Sequence, residues 1–130
     1  MMEGSLEEGG TKLGAVLQRL NEAGIDASAV VSRDGIILQS ELQAGEEEKA
    51  AFAAMAAAVL GAAETATSEL KQGVPRHIII EAGDSRLIEV GAGPVALLVA
   101  MVGPKIPLAT ALKEIDRAAR EIRSLVKPGR

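Results

Sequence analysis

The residues with chemical potential are few and scattered along the chain. Gly9-Gly10-Thr11-Lys12 resembles the end of a phosphate-binding loop, in which backbone N–H groups cradle phosphate oxygens and a lysine reaches the outer phosphate. The first glycine of such a cradle is missing, as is a strand before it. Gly91-Ala92-Gly93-Pro94-Val95-Ala96 matches a loose Gly-x-Gly-x-x-Ala string. It leads into a strand pattern rather than a helix, so no helix N-terminus awaits a pyrophosphate, and a strand-connecting turn is the expected role. His77 is the single histidine and the one side chain that titrates near neutrality, so any Ser-His-Asp triad must be built on it. No constellation around it supports catalysis, and an exposed or interface position at a strand start is expected. Glu7-Glu8 and Glu46-Glu47-Glu48 have the chemistry for a hard cation, but the second cluster sits where a helix N-terminus favours negative charge. Cysteine is absent, which removes disulfides, thiolate zinc sites and a cysteine nucleophile. The expectation is a protein that is not an enzyme and needs no cofactor or metal.

Composition narrows the partners. The 130 residues suit one domain, and 48% hydrophobic with 25% charged residues is a globular balance. One Phe and no Trp or Tyr leave no platform for stacking bases, and a net charge of −4 disfavours a phosphate backbone, so no nucleic acid is expected. Residues 1–10 carry Glu3, Glu7 and Glu8 without an apolar stretch, unlike a secretory signal. The most apolar run, Ala50 to Ala63, falls short of the roughly 20 residues that a bilayer span needs. No membrane insertion is expected, and the cytoplasm is the expected location.

The elements that position these residues follow from periodicity. Residues 1–10 read as a flexible N-terminal arm ahead of a single domain over 11–127. From Thr11, an expected N-cap, Leu13, Val16, Leu17 and Leu20 recur at the spacing of one helical face, and Gly24 stops it. Ala29-Val30-Val31 and Ile36-Ile37-Leu38 flank Asp34-Gly35, a strong hairpin signal. A long helix opens at Glu46-Glu47-Glu48 and runs to about Lys71, ended by Gly73 and Pro75. Strands follow at His77 to Glu81 and Arg86 to Val90, around Gly83-Asp84-Ser85. The continuously apolar Val95 to Val102 reads as a central strand covered on both faces. Pro104 and Pro107 open a last helix whose apolar face is Leu108, Leu112, Ile115, Ala119, Ile122 and Val126. The fold class expected is an α+β sandwich, order α-β-β-α-β-β-β-α, with a five-stranded antiparallel sheet flanked by helices.

The long helix is unusual. Phe52, Met55, Val59, Ala63, Ala66 and Leu70 share one face, read as the side lying on the sheet. Ala50, Ala54, Ala57, Gly61, Thr65 and Ser68 share the opposite face, and between Lys49 and Glu64 there is no charged residue. A one-sided surface helix carries Lys, Glu or Arg outward, so a helix apolar all round is read as covered all round. The strand His77-Ile78-Ile79-Ile80-Glu81 is a long apolar run for a sheet edge, and such an edge unpaired is an aggregation hazard. Packing both on a second copy about one two-fold axis answers both problems. The expected homodimer interface is Ala50, Ala54, Ala57, Gly61, Thr65 and Ser68 with His77, Ile79 and Glu81.

From about Leu13 to Val126 the chain resembles the roadblock / dynein-light-chain family in a prokaryotic single-domain form. The resemblance rests on the hairpin from Ala29 to Leu38, the Ala-rich helix, the turn at Gly83-Asp84 and the terminal Ala111-Leu112-Lys113-Glu114-Ile115 helix. It implies a roadblock-like, profilin-like sheet sandwiched by helices, and a homodimer joined through the second helix and third strand into a continuous sheet. It also implies a role in scaffolding or regulating a small Ras-like GTPase, with no catalytic residues to carry over. The rival reading is a small-ligand-binding sensor domain, disfavoured by the lack of aromatic rings and convergent polar groups.

Overall fold

The computed structural model describes residues 2–128, with side chains described from Lys12 onward. Its elements are α1 (Met2–Glu22), β1 (Ala27–Ser32), β2 (Ile37–Glu41), α2 (Glu46–Glu69), β3 (Ile78–Ala82), β4 (Ser85–Ala92), β5 (Ala96–Val102) and α3 (Leu108–Leu125). This is the order expected from periodicity. Helix α1 nevertheless starts far upstream of Thr11, which is an interior position and not an N-cap. Residues 2–10, expected as an arm, carry helical backbone. Glu3, Leu6, Glu7 and Glu8 are good helix formers, and extending a helix is much easier than nucleating one.

The five strands form one antiparallel sheet in the order β2-β1-β5-β4-β3. β5 lies at its centre, which is why its sequence is apolar without alternation. Leu97 and Val99 face α2, while Leu98, Ala100 and Val102 face α1 and α3. The β1–β2 hairpin closes on Gly35, with φ at 91° and the Gly35 N–H donating to the Ser32 carbonyl at 2.9 Å. That glycine is needed twice, for its positive φ and because a Cβ there meets the Ala54 Cα at 3.1 Å.

Two cores of unequal size lie on either side of the sheet. On one, Leu13, Val16, Leu17 and Leu20 of α1 and Ala111, Ile115 and Ile122 of α3 are buried against Val30, Ile88, Val90 and Leu98. On the other, α2 alone covers Ala29, Val31, Leu97 and Val99. At 24 residues α2 is also long and apolar enough, by length and composition, to cross a membrane. The expectation drawn from Ala50–Ala63 counted only the uncharged run. In the fold this helix lays Ala53, Ala56 and Leu60 on the sheet.

Candidate functional site

Helix α2 is rotated by about a quarter turn from the orientation its sequence suggested. The row on the sheet is Ala53, Ala56 and Leu60, all at most 3% exposed. The set expected to face the sheet instead forms one flank: Phe52, Val59 and Ala63 are half-buried, Ala66 and Leu70 are exposed, and Met55 is 60% exposed. The set expected to face outward forms the other flank. Ala50 and Ala54 lie beside the β1–β2 hairpin, near Ile36, Ile37 and Gly35. Ala57 packs half-buried against the smaller core, and Gly61, Thr65 and Ser68 are exposed. The physical reason is size. Ala53 and Ala56 allow close approach of helix and sheet while Leu60 fills the space further along, and the bulkier Phe52 and Val59 wedge in beside them.

Phe52 borders a depression with Leu87 and Val99, so its flank leans toward β4 and β5. β3 pairs only with β4, and its other side is the free edge of the sheet. Ile78 packs against the α2 core, and strand alternation places Ile80, 40% exposed, on that same face. His77, Ile79 and Glu81 alternate onto the opposite side. Their side chains therefore lie on the α1 and α3 side of the sheet, while the strand they belong to still presents its backbone at the edge. His77 Nε2 lies 2.8 Å from Asp116 Oδ1 on α3, Ile79 stands opposite Ile88, and Glu81 is 3.6 Å from the Arg86 Nε. What the structure leaves exposed is an uncharged helix side, with Ala51, Ala58 and Ala62, and on the same face of the sheet an open edge strand bearing Ile80.

A polar cluster lies under the same helix. The Arg33 Nη1 donates to both Glu64 carboxylate oxygens, at 2.9 and 2.7 Å, and Nη2 donates to the Gly93 carbonyl at 3.0 Å. Gly91 makes room for it, since a Cβ there stands 2.9 Å from Arg33 Nη2. Two residues along β4, Glu89 is fully buried between its cross-strand neighbours Ile78 and Val99, and neither carboxylate oxygen has a hydrogen-bond partner. Desolvation by burial pushes its pKa up to about 7. The sequence carried one signal for it, an acid flanked by Ile88 and Val90 in a covered strand. Met55, expected on the sheet, is exposed instead, and Ile80 was not singled out within the apolar run of its strand.

The other motifs resolve into structure. Gly9-Gly10-Thr11-Lys12 lies inside α1, where backbone N–H groups serve the helix. Gly91 and Ala92 end β4, and Gly93 to Val95 turn the chain into β5. Glu46, Glu47 and Glu48 form the first turn of α2, where Glu48 Oε1 accepts the Gly45 N–H at 2.8 Å. Among the described residues no three His, Asp or Glu side chains are grouped to hold a metal. A largely apolar depression of about 340 Å³ opens between Phe52, Leu42, Leu87 and Met101.

An antiparallel five-stranded sheet with α2 on one face and α1 and α3 on the other defines a roadblock-like, profilin-like sandwich. Residues 12–101 match the model of the Roadblock/LC7 domain, and the chain belongs to that family. An uncharacterized protein of Methanocaldococcus jannaschii is 33% identical over 111 residues, covering 85% of this chain and 96% of that protein. Among solved structures, MglB of Myxococcus xanthus superposes with a TM-score of 0.81 at 22% identity, covering 91% of this chain and 92% of MglB. A Roadblock/LC7 domain of Streptomyces avermitilis gives 0.74 at 17% identity, covering 88% and 94%.

Proposed function

We propose that this chain is a non-catalytic, cytoplasmic interaction module that works as a homodimer and regulates or scaffolds a small Ras-like GTPase. The observations that carry the self-association are the exposed, uncharged side of α2 and the free β3 edge. Exposed apolar surface of this kind, together with an unpaired strand, is the surface of a partner-seeking domain. Pairing β3 with its copy lengthens the sheet, and the Met55, Ala58 and Ala62 side of α2 then meets its own copy about the two-fold axis. Relatives of the same fold point the same way: a solved MglB has a tetrameric arrangement, and the Thermus thermophilus MglB is described as a gliding protein. The GTPase partner comes from the role that family membership implies.

Light scattering at micromolar concentration is expected to give twice the 13.4 kDa chain mass. The monomer mass removes the reading of α2. Turnover of a Ras-like GTPase from the same genome, measured with and without this protein, is expected to change, while titration with GTP or ATP alone shows no binding. No contact with any such GTPase sinks the partner assignment, and micromolar nucleotide binding sinks the non-catalytic one.

One observation favours the rival sensor reading. The depression beside Phe52 falls within the range of small-ligand pockets, and Ser28, Gln43 and Glu48 supply polar groups at its walls. A thermal-shift screen with small apolar ligands separates the two readings.

A further inference from the structure

The outward face of α3 carries a line of cations that neither core nor the self-association surface uses. Residues 105–130 hold seven Lys or Arg against three Asp or Glu, in a chain whose net charge is −4. Ala111, Ile115, Ala118 and Ile122 turn toward the sheet. That leaves Lys113, Arg117 and Arg120 at the i, i+4, i+7 spacing of the opposite face, all exposed. The acids of the helix are already engaged. Asp116 meets His77, Glu121 meets Arg19, and Glu114 lies 3.5 Å from Arg117. Lys113, Arg120 and Lys127 have no ion-pair partner among the described residues. The exposed Glu46, Glu47 and Glu48 sit at the start of α2, on the other side of the sheet. The outer face of α3 is therefore positive, although α1 in the same layer carries Glu3, Glu7, Glu8 and Glu22, and the exposed carboxylates of α2 gather around its N-terminus.

We propose that the outer face of α3 docks this protein on an anionic lipid surface. A planar array of headgroup phosphates reaches Lys113, Arg117 and Arg120 at once, because they project from one side of α3. The α2 carboxylates stand across two packed layers from that plane, beyond a Debye length of about 8 Å at physiological salt, and are screened from it. Leu125 is the one large apolar side chain exposed on α3, so the contact is peripheral and electrostatic, without insertion. In the dimer proposed above, two α2 helices share one face of the joined sheet and two α3 helices the other, so a flat surface meets two stripes together. Nucleic acid offers phosphates as well, but the single aromatic ring, Phe52, lies in the opposite layer and leaves bases nothing to stack on.

Co-sedimentation with vesicles tests this, using phosphatidylcholine alone or with about 30 mol % phosphatidylglycerol, at about 0.05 M and about 0.5 M salt. Binding to the anionic vesicles at low salt and its loss at high salt are expected. The triple variant Lys113→Glu, Arg117→Glu, Arg120→Glu is expected to bind at least about tenfold more weakly. Its circular dichroism and light scattering should match those of the unmodified chain, which separates this outcome from loss of fold or dimer. Ala62→Arg, which targets only the proposed dimer, should weaken vesicle binding without abolishing it. Failure to sediment with anionic vesicles, equal binding to neutral ones, an unaffected triple variant, or duplex DNA bound as tightly as the vesicles would each overturn the proposal.

Discussion

The two faces of the sheet are covered in different ways, and the difference explains where this molecule is finished and where it is open. Against one face, α1 and α3 lay down rows of Leu, Val and Ile, and Leu17, Ile115 and Ile122 are completely buried. Two helices of large side chains seal that side within one chain. Against the other face a single helix lays down Ala53, Ala56 and Leu60. A row of alanines brings the helix close but buries little area, so most apolar surface of α2 and half of β3 remain uncovered. The thin side is also where a carboxylate, Glu89, is buried without a partner. One face stabilises the chain; the other holds apolar surface available to a second molecule.

That contrast is open to direct attack, beginning with the largest effect. Ala62→Arg places a charge on the exposed α2 side that the proposed dimer covers, and an uncompensated buried charge costs about 3–5 kcal/mol. The dimer should dissociate by at least about a hundredfold in sedimentation, while the monomer keeps its circular dichroism. Ala50→Arg, on the flank beside the β1–β2 hairpin, should leave the dimer intact. If the two variants behave oppositely, the dimer buries the hairpin-side flank of α2 instead.

On the sealed side, Ile115→Ala should destabilise the chain by about 2–5 kcal/mol in urea unfolding, since it opens a cavity between α3 and the sheet. A loss under about 1 kcal/mol would mean that this core relaxes as readily as the thin one.

Glu89 sharpens the comparison through pH. Its folded pKa, about 7, lies above the ordinary value of 4.5. Between those values the folded chain keeps a proton that the unfolded chain releases, so stability falls as pH rises through this window. Below it the penalty is absent; above it the penalty is complete, of the order of 3 kcal/mol. Glu89→Gln should therefore raise stability at pH 8, change little at pH 4, and remove most of the slope between. A variant that is destabilised at pH 8 would show that the carboxylate has found a partner there. The smallest effect belongs to the exposed Arg19–Glu121 pair joining α1 to α3, where Arg19→Ala should cost less than about 1 kcal/mol in the same unfolding measurement.

Local order was legible in the chain because it is written in local chemistry. Periodic Leu13, Val16, Leu17 and Leu20 marked α1, Asp34-Gly35 marked the hairpin, and the unbroken run into Val102 marked a strand with both faces covered. The absence of charge from Ala50 to Ala63 also identified the unusual helix before any fold was known. Which side of that helix meets the sheet was not legible, because alanine makes nearly every side apolar and periodicity then has no contrast to report. The depth of seating chose the side, and only the packed sheet, with Gly35 against Ala54 and Phe52 beside Leu87, fixes that depth. The alternation of β3 was visible, but the layer to which each set belongs depends on its neighbour across the sheet, as Ile78 beside Glu89 and His77 against Asp116 show. The sequence by itself determined the elements, their order and the helix that lacks a charged face. Tertiary structure alone decided which residues that helix exposes, that Glu89 loses its water, and that the cationic face of α3 points away from α2, because each depends on contacts between segments distant in the chain.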